Sequence, residues 1–175
     1  MQTADLYDFK VTWEPFLLRV GFPADGVEKP PQYQNIDKTG HLYLAGKSVG
    51  IEFTGKCKRF PNTILGHTML EYAKSLDPTR RIQNEAAERI FQAYFTDGQY
   101  PDRSLLDSIA SDMKFDMSAY HSYMDSQENV KQAEQSALKW RSQVQTGVPF
   151  FIINGRPCFS GAQESDTFVK TFANL

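Results

Sequence analysis

The sequence predicts an α/β fold in which a long, mostly helical segment separates a first strand from a C-terminal hairpin and helix. Two observations lead to this prediction. Apolar side chains recur at helical spacing from about residue 34 to residue 145. Two short strand-like runs then flank Asn154-Gly155, a dipeptide favoured in two-residue hairpin turns. A chain of 175 residues can form one domain, or one domain with a large insertion.

The first predicted strand runs from Phe9 to Glu14. Phe9, Val11 and Trp13 alternate there with polar residues, and Pro15 follows directly. The next stretch, GFPADGVEKPPQ, reads as a loop because of its glycine and proline content.

Helices are predicted over most of the chain from Gln34 to Gln145, with an interrupting loop from Gly50 to Pro61. The helical signal consists of apolar stripes at spacings of three and four residues. The stripes are formed by Leu65, Met69, Tyr72 and Leu76; by Ile82, Ala86, Ile90 and Ala93; by Leu105, Ile109 and Met113; by Tyr120 and Met124; and by Val130, Ala133, Ala137, Trp140 and Val144.

The periodicity changes after Gln145. Phe150–Ile153 reads as a buried strand and Arg156–Ser160 as its returning partner, followed by a last helix. The predicted arrangement is a core of residues 1–33 and 146–175 with a helical domain, residues 34–145, inserted into it.

Composition excludes several classes of function. The formal net charge is −2 and the charges are scattered, so binding to nucleic acid is not expected. No apolar run approaches 18 residues, and the first ten residues lack the pattern of a secretory signal, so a membrane span and secretion are not expected. His41 and His121 have no Cys, Asp or His partner at metal-ligand spacing, and His67, four residues after Thr63, could face the site but is more simply a structural histidine, so no metal is expected. With only Cys57 and Cys158, a reduced cytoplasmic protein fits best.

Val148-Pro149, after Gly147, opens the predicted buried strand. Local sequence alone favours an ordinary trans proline, because only about 5% of X–Pro bonds in folded proteins are cis. A cis bond would instead turn the main-chain groups of Val148 outward, where an extended peptide or glutathione could pair with them.

Four blocks of sequence change that expectation. They are WEPFLL (13–18), FPNTILGHTMLEYA (60–73), AYFTDGQ (93–99) and TGVPFFIINGRPCFSGAQ (146–163). Together they resemble the FrnE-type branch of the DsbA family, which comprises cytoplasmic thioredoxin-fold oxidoreductases with a helical insertion. These proteins are related to 2-hydroxychromene-2-carboxylate isomerases and kappa-class glutathione transferases. The resemblance implies a thioredoxin-like core.

The resemblance also implies a binding site. Val148 and Pro149 would form the cis-proline loop that holds the substrate, with Gly147 allowing the turn. Pro61, Asn62 and Thr63 would open the helix that overhangs the active site. We therefore predict that the Val148–Pro149 bond is cis.

The sequence departs from the family at the catalytic dithiol. Family members carry a strand and then Cys-Pro-x-Cys at a helix N-terminus before the strand that matches Phe9–Trp13, and this sequence contains no Cys-x-x-Cys. We expect a core that is incomplete at its N-terminus, a truncated form of the family in which efficient thiol–disulfide exchange is impaired. Cys57 lies among Lys56, Lys58 and Arg59, cations that would stabilise a thiolate, but an inert loop cysteine is the commoner case.

Two functions remain open. The first is a thiol–disulfide oxidoreductase of the family with impaired activity, with Cys57 or Cys158 as possible reactive thiols. The second is a non-catalytic protein that binds an extended peptide or a thiol substrate. No cofactor is required, and glutathione is weakly supported because Ala162-Gln163 stands where kappa-type enzymes have a Ser-Asp pair. A second copy of the chain or another partner would close the incomplete sheet.

Overall fold

The computed structural model describes residues 6–34 and 36–175. Its helices and strands follow one another in chain order. They are β1 (Val27–Glu28), a 3₁₀ turn (Pro31–Tyr33), α1 (His41–Ser48), β2 (Arg59–Phe60), α2 (Ile64–Leu76), α3 (Arg81–Phe91), a π-helical segment (Gln92–Asp97), α4 (Arg103–Asp112), α5 (Met117–Met124), α6 (Gln127–Gln143), β3 (Phe150–Ile153), β4 (Arg156–Ser160) and α7 (Ser165–Phe172).

The hydrophobic core of the helical segment is centred on α2. Met69 of α2, Leu106 of α4 and Tyr120 of α5 are completely buried. The ring of Tyr72 packs on Tyr120 and on Tyr123, with centroid distances of 5.6 Å and 5.1 Å. The stripes predicted from the sequence therefore face one another, and the prediction of helices between α2 and α6 is confirmed.

The C-terminal hairpin and helix are also confirmed, but β3 is half-buried, with Ile152 exposed, and is not the buried strand that the sequence predicts. β3 and β4 pair antiparallel, and the turn residues Asn154 and Gly155 have φ of 50° and 75°. Two positive φ values are typical of the turn that matches the natural twist of a hairpin. The Phe168 ring of α7 packs edge-on against Phe151 and Phe159, at 5.0 Å and 4.9 Å between centroids.

The prediction of a strand at Phe9–Glu14 is wrong. The segment forms no ladder, and both described sheets have two strands, β1 with β2 and β3 with β4. An extended segment becomes a strand only when a neighbouring strand accepts its main-chain hydrogen bonds. The alternation of apolar residues is present, but a partner strand is not found among the described residues.

A side chain takes the place of the partner strand at Trp13. Gln83 of α3 is completely buried, and its amide oxygen accepts from the Trp13 N–H at 3.1 Å. Its amide nitrogen donates to the Trp13 C=O at 2.9 Å and to the Leu70 C=O at 3.2 Å. The Trp13 indole also donates to Asn84 at 2.9 Å. Gln83 thus satisfies the main chain of Trp13 as a strand would.

The residues after Trp13 are held to the helices in the same manner. Lys74 binds Glu14 at 2.9 Å, and Arg141 donates to the main-chain oxygens of Leu17 and Leu18 at 2.9 Å each. Residues before Trp13 are more exposed, and Phe9 packs its ring on Phe172 of α7 at 5.0 Å. The N-terminal segment therefore contacts both the helices and the C-terminal unit.

The small β1–β2 sheet was not predicted. It joins two segments that the sequence analysis treats as loops, and the Lys29 N–H extends it by donating to the Lys58 C=O at 2.8 Å. Gly26, with φ of 71°, makes this close approach possible, because a Cβ there would lie 2.2 Å from the Phe60 oxygen. The division into residues 1–33 with 146–175 and an inserted domain of 34–145 stays a prediction.

Candidate functional site

The Val148–Pro149 loop lies between α6 and β3. Its peptide bond is cis, as the sequence analysis predicts. Gly147 before it has φ of 104°, which favours glycine, and the Pro149 oxygen accepts from the Gly161 N–H at 2.7 Å. Val148 is 37% exposed, and its N–H and C=O form no hydrogen bond with the described residues. The main chain of Val148 is therefore open to a ligand.

Asn62 and Thr63 directly precede α2, and Thr63 is its N-cap residue. The Asn62 oxygen accepts from the Ile64 N–H at 3.1 Å, and its nitrogen donates to the Phe22 oxygen at 2.9 Å. Asn62 thereby provides a partner for the first N–H of α2 and joins the start of the helix to the loop before β1. No hydrogen bond among the described residues joins Asn62 or Thr63 to the Val148–Pro149 loop, so a shared site stays a prediction.

A shallow groove runs beside Asn62. Its volume is about 160 Å³, and it is lined by Leu17, Arg19, Gly21, Phe22, Asn62, Ile64 and Glu134. A larger groove, of about 430 Å³, lies beside α3 and includes Phe9, Val11, Arg80 and Glu85 in its lining. Neither groove is lined by a residue of the Gly147–Pro149 loop.

The two cysteines are free and differ sharply in exposure. Cys57 is buried, 4% exposed, and its thiol donates to the Arg59 oxygen at 3.5 Å. Cys158 is exposed on β4, and its thiol donates to the Arg156 oxygen at 3.3 Å. A buried thiol is protected from a protein disulfide, whereas an exposed one can react.

The cations next to Cys57 in the sequence have other partners. Arg59 pairs with Asp25 at 3.0 Å, and Lys58 donates to the Gln34 oxygen at 2.7 Å. The cation that the sequence analysis missed is Lys29, which is itself buried. Burial lowers the pKa of Lys29, the nearby Cys57 thiol acts in the opposite direction, and Lys58 and Arg19 lower it further. Nothing in the local sequence around Lys29 indicates this burial.

Two tyrosines complete the surroundings of Cys57. The Tyr94 hydroxyl donates to the Arg59 oxygen at 3.1 Å, so this oxygen accepts hydrogen bonds from both Tyr94 and Cys57. Burial raises the pKa of Tyr94 far above its ordinary value. Burial likewise raises the pKa of Tyr100, whose hydroxyl lies against Gly26. Both hydroxyls are therefore neutral at physiological pH.

His67 has the contacts of a structural histidine. His67 of α2 is bonded to the Phe16 oxygen through its Nε2 at 3.1 Å, and burial lowers the pKa of His67. The neutral ring therefore donates this bond. Among residues 6–34 and 36–175, no group of three or more side chains has the arrangement of a metal site. Within the same residues no helix has the length and apolar character needed to cross a membrane.

Comparison with known proteins places the chain in a family. No curated protein sequence matches it significantly. A family model described as the DSBA-like thioredoxin domain matches residues 1–173, which is nearly the whole chain. This match agrees with the antiparallel hairpin, the cis Val148–Pro149 bond and the C-terminal helix. The chain therefore belongs to the DSBA-like thioredoxin domain family, a family of the thiol–disulfide oxidoreductase type.

Proposed function

We propose that this chain keeps the substrate-binding side of a thiol–disulfide oxidoreductase and does not itself exchange disulfides efficiently. The observation that supports this is the state of its thiols. The sequence has two cysteines, one buried and one exposed, and each thiol donates to a main-chain oxygen two residues away.

Disulfide reduction by a dithiol takes two steps. A thiolate attacks one sulfur of the substrate, which forms a mixed disulfide and releases the other sulfur as a thiolate. A second protein thiol then attacks the mixed disulfide, which releases the substrate and leaves a protein disulfide. In this chain Cys158 is the accessible nucleophile, and burial keeps Cys57 from meeting it without local opening. The reaction is therefore expected to stop at a mixed disulfide on Cys158.

The decisive assay is reduction of insulin by the purified 175-residue chain. We expect no turnover above that of free dithiothreitol, and we expect a Cys57→Ala, Cys158→Ala double variant to behave identically. Turnover that survives in the double variant would overturn our account of the nucleophile.

Thiol labelling provides an independent measurement. Under native conditions we expect one thiol, Cys158, to react with Ellman's reagent within seconds, and Cys57 to react at least 100-fold more slowly because it must wait for local opening. Cys158→Ala should remove the fast phase alone. Two equally fast thiols would contradict the proposal.

A second candidate function is binding of an extended peptide without catalysis. It is favoured by the open main chain at Val148 and by β3, which pairs with β4 on one side and has no strand on its other side among the described residues. An extended peptide adds to such an edge through main-chain hydrogen bonds. Exposed Ile152 on β3 would contact its side chains.

A pair of variants at one position tests this binding. Val148→Pro removes the free N–H donor, whereas Val148→Ala keeps it and shortens only the side chain. With alkylated, fluorescein-labelled insulin B chain as the probe, we expect Val148→Pro to weaken binding about 2- to 10-fold, the value of one lost hydrogen bond. Val148→Ala should change the affinity less. Equal affinity in all three proteins, each with an unchanged Tm, would exclude the main chain of Val148 from binding.

The finer features of the family resemblance form part of the same proposal. They are membership in the FrnE-like branch, a cytoplasmic location, weak glutathione binding and closure of the sheet by a second copy or another chain. Sedimentation with and without glutathione tests the last two. A monomer with no affinity for glutathione or for the B chain would remove the binding function.

A further inference from the structure

Lys29 is a buried cation without a counter-ion in the described part of the chain. Only 9% of the residue is exposed. Its main chain is fixed on both sides, because its N–H donates to the Lys58 oxygen at 2.8 Å and its C=O accepts from Gln34 at 2.7 Å. These two hydrogen bonds fix the main chain of Lys29 next to Lys58 and Gln34.

The ammonium of Lys29 lies over two aromatic rings. It is 4.9 Å from the centroid of Tyr94 and 5.4 Å from that of Phe60. Within residues 6–34 and 36–175, no carboxylate oxygen lies within 4.0 Å of this ammonium. Aromatic faces attract a cation, but they offset only part of its lost hydration.

Two further positive charges, Arg19 and Lys58, act on Lys29. The guanidinium of Arg19 lies 4.0 Å from the centroid of Phe60. Arg19 and Lys58 both act on Lys29 by repulsion and lower its pKa, after burial, which is the largest cause. Asp25 is paired with Arg59 at 3.0 Å, and Glu134 lines the groove beside Arg19. Among the described residues, no carboxylate forms an ion pair within 4.0 Å with Arg19, Lys29 or Lys58.

We propose that Arg19, Lys29 and Lys58 bind a small oxyanion, a phosphate or carboxylate group, beside the ring of Phe60. Arginine presents a planar fork that suits two oxygens of such a group, and a partly desolvated ammonium binds an anion more strongly than a fully hydrated one does. An anion here would compensate the repulsion among the three cations. This site does not depend on the peptide or disulfide chemistry proposed above.

The neighbouring thiol is the internal alternative. An ionised Cys57 would also compensate Lys29, and its charge acts on the pKa of Lys29 in that direction. In the structure, however, the Cys57 thiol donates to the Arg59 oxygen at 3.5 Å. A Cys57→Ala variant distinguishes the two possibilities, because it leaves an external anion site intact.

The test compares the Tm of the chain in inorganic phosphate with its Tm in sodium chloride at the same ionic strength. At about ten times its dissociation constant, phosphate should raise the Tm of the wild-type chain by about 3–6 °C. Lys29→Met keeps the length of the side chain and removes the charge. This variant should have a higher Tm than the wild type without phosphate and should gain less than 1 °C from it.

Two control variants and a second anion complete the test. Lys139→Met, at an exposed lysine of α6, and Cys57→Ala should both keep the full effect of phosphate. Glutathione, compared with its dimethyl ester in which both carboxylates are blocked, shows whether a carboxylate on a larger molecule is accepted in place of phosphate. No rise in the wild type with either anion, or the same rise in Lys29→Met, would overturn the proposal.

Discussion

Gln83→Leu tests whether one side chain replaces a strand in holding the N-terminal segment. Leucine has a similar volume, so the change removes hydrogen bonds without opening a large cavity. It leaves the N–H and C=O of Trp13 without partners in a half-buried setting, as well as one acceptor site on Leu70. An unpaired buried polar group costs about 1–3 kcal/mol of folding free energy. Two such groups, partly hydrated, should lower the free energy of unfolding by about 2–4 kcal/mol.

Urea unfolding, followed by tryptophan fluorescence, measures this loss in the free energy of unfolding. In thermal unfolding, the same loss would lower the Tm by roughly 4–16 °C for a chain of this size. Gln92→Leu is the matched control, because Gln92 is exposed in the adjacent π-helical segment and its side chain has one hydrogen bond with the described residues, to Asp97 at 3.3 Å. The control should stay within about 0.5 kcal/mol of the wild type. A similarly small effect of Gln83→Leu would show that the indole of Trp13 and the Lys74–Glu14 pair hold the segment without the amide.

Two further predictions concern stability. Burial lowers the pKa of His67, so the imidazole binds a proton more readily in the unfolded chain than in the folded one. The free energy of unfolding should therefore be highest above pH 6.5 and fall as the pH drops through the lowered pKa of His67. His67→Gln, which can still donate to the Phe16 oxygen, should reduce this fall in urea titrations at pH 7 and pH 5, and an unchanged pH dependence would exclude His67 as its source. Phe168→Ala should destabilise the C-terminal unit by about 2–4 kcal/mol, because it removes the ring that joins α7 to Phe151 and Phe159. Hydrogen exchange would show the loss as faster exchange in β3 and β4, and unchanged exchange there would contradict the role given to this ring.

The sequence by itself determined those elements whose signal is local. The apolar stripes of α2 to α6 specify helices with one buried face, and Asn154-Gly155 specifies a hairpin turn because both residues tolerate positive φ. The cis Val148–Pro149 bond was predictable only through the resemblance of the surrounding block to a family, since local sequence alone favours trans.

The tertiary structure decided everything that depends on a distant partner. Alternation at Phe9–Glu14 predicts a strand, but strand formation requires a neighbour, and Gln83, 70 residues further along the chain, satisfies Trp13 instead. The charges around Cys57 likewise depend on distant residues. Lys58 and Arg59, next to Cys57 in the sequence, are bonded to other groups, while the β1–β2 pairing brings Lys29 close to Cys57. Local sequence specifies which conformations a segment prefers, whereas the charges and hydrogen-bond partners that surround a side chain are set by residues brought near it from elsewhere in the chain.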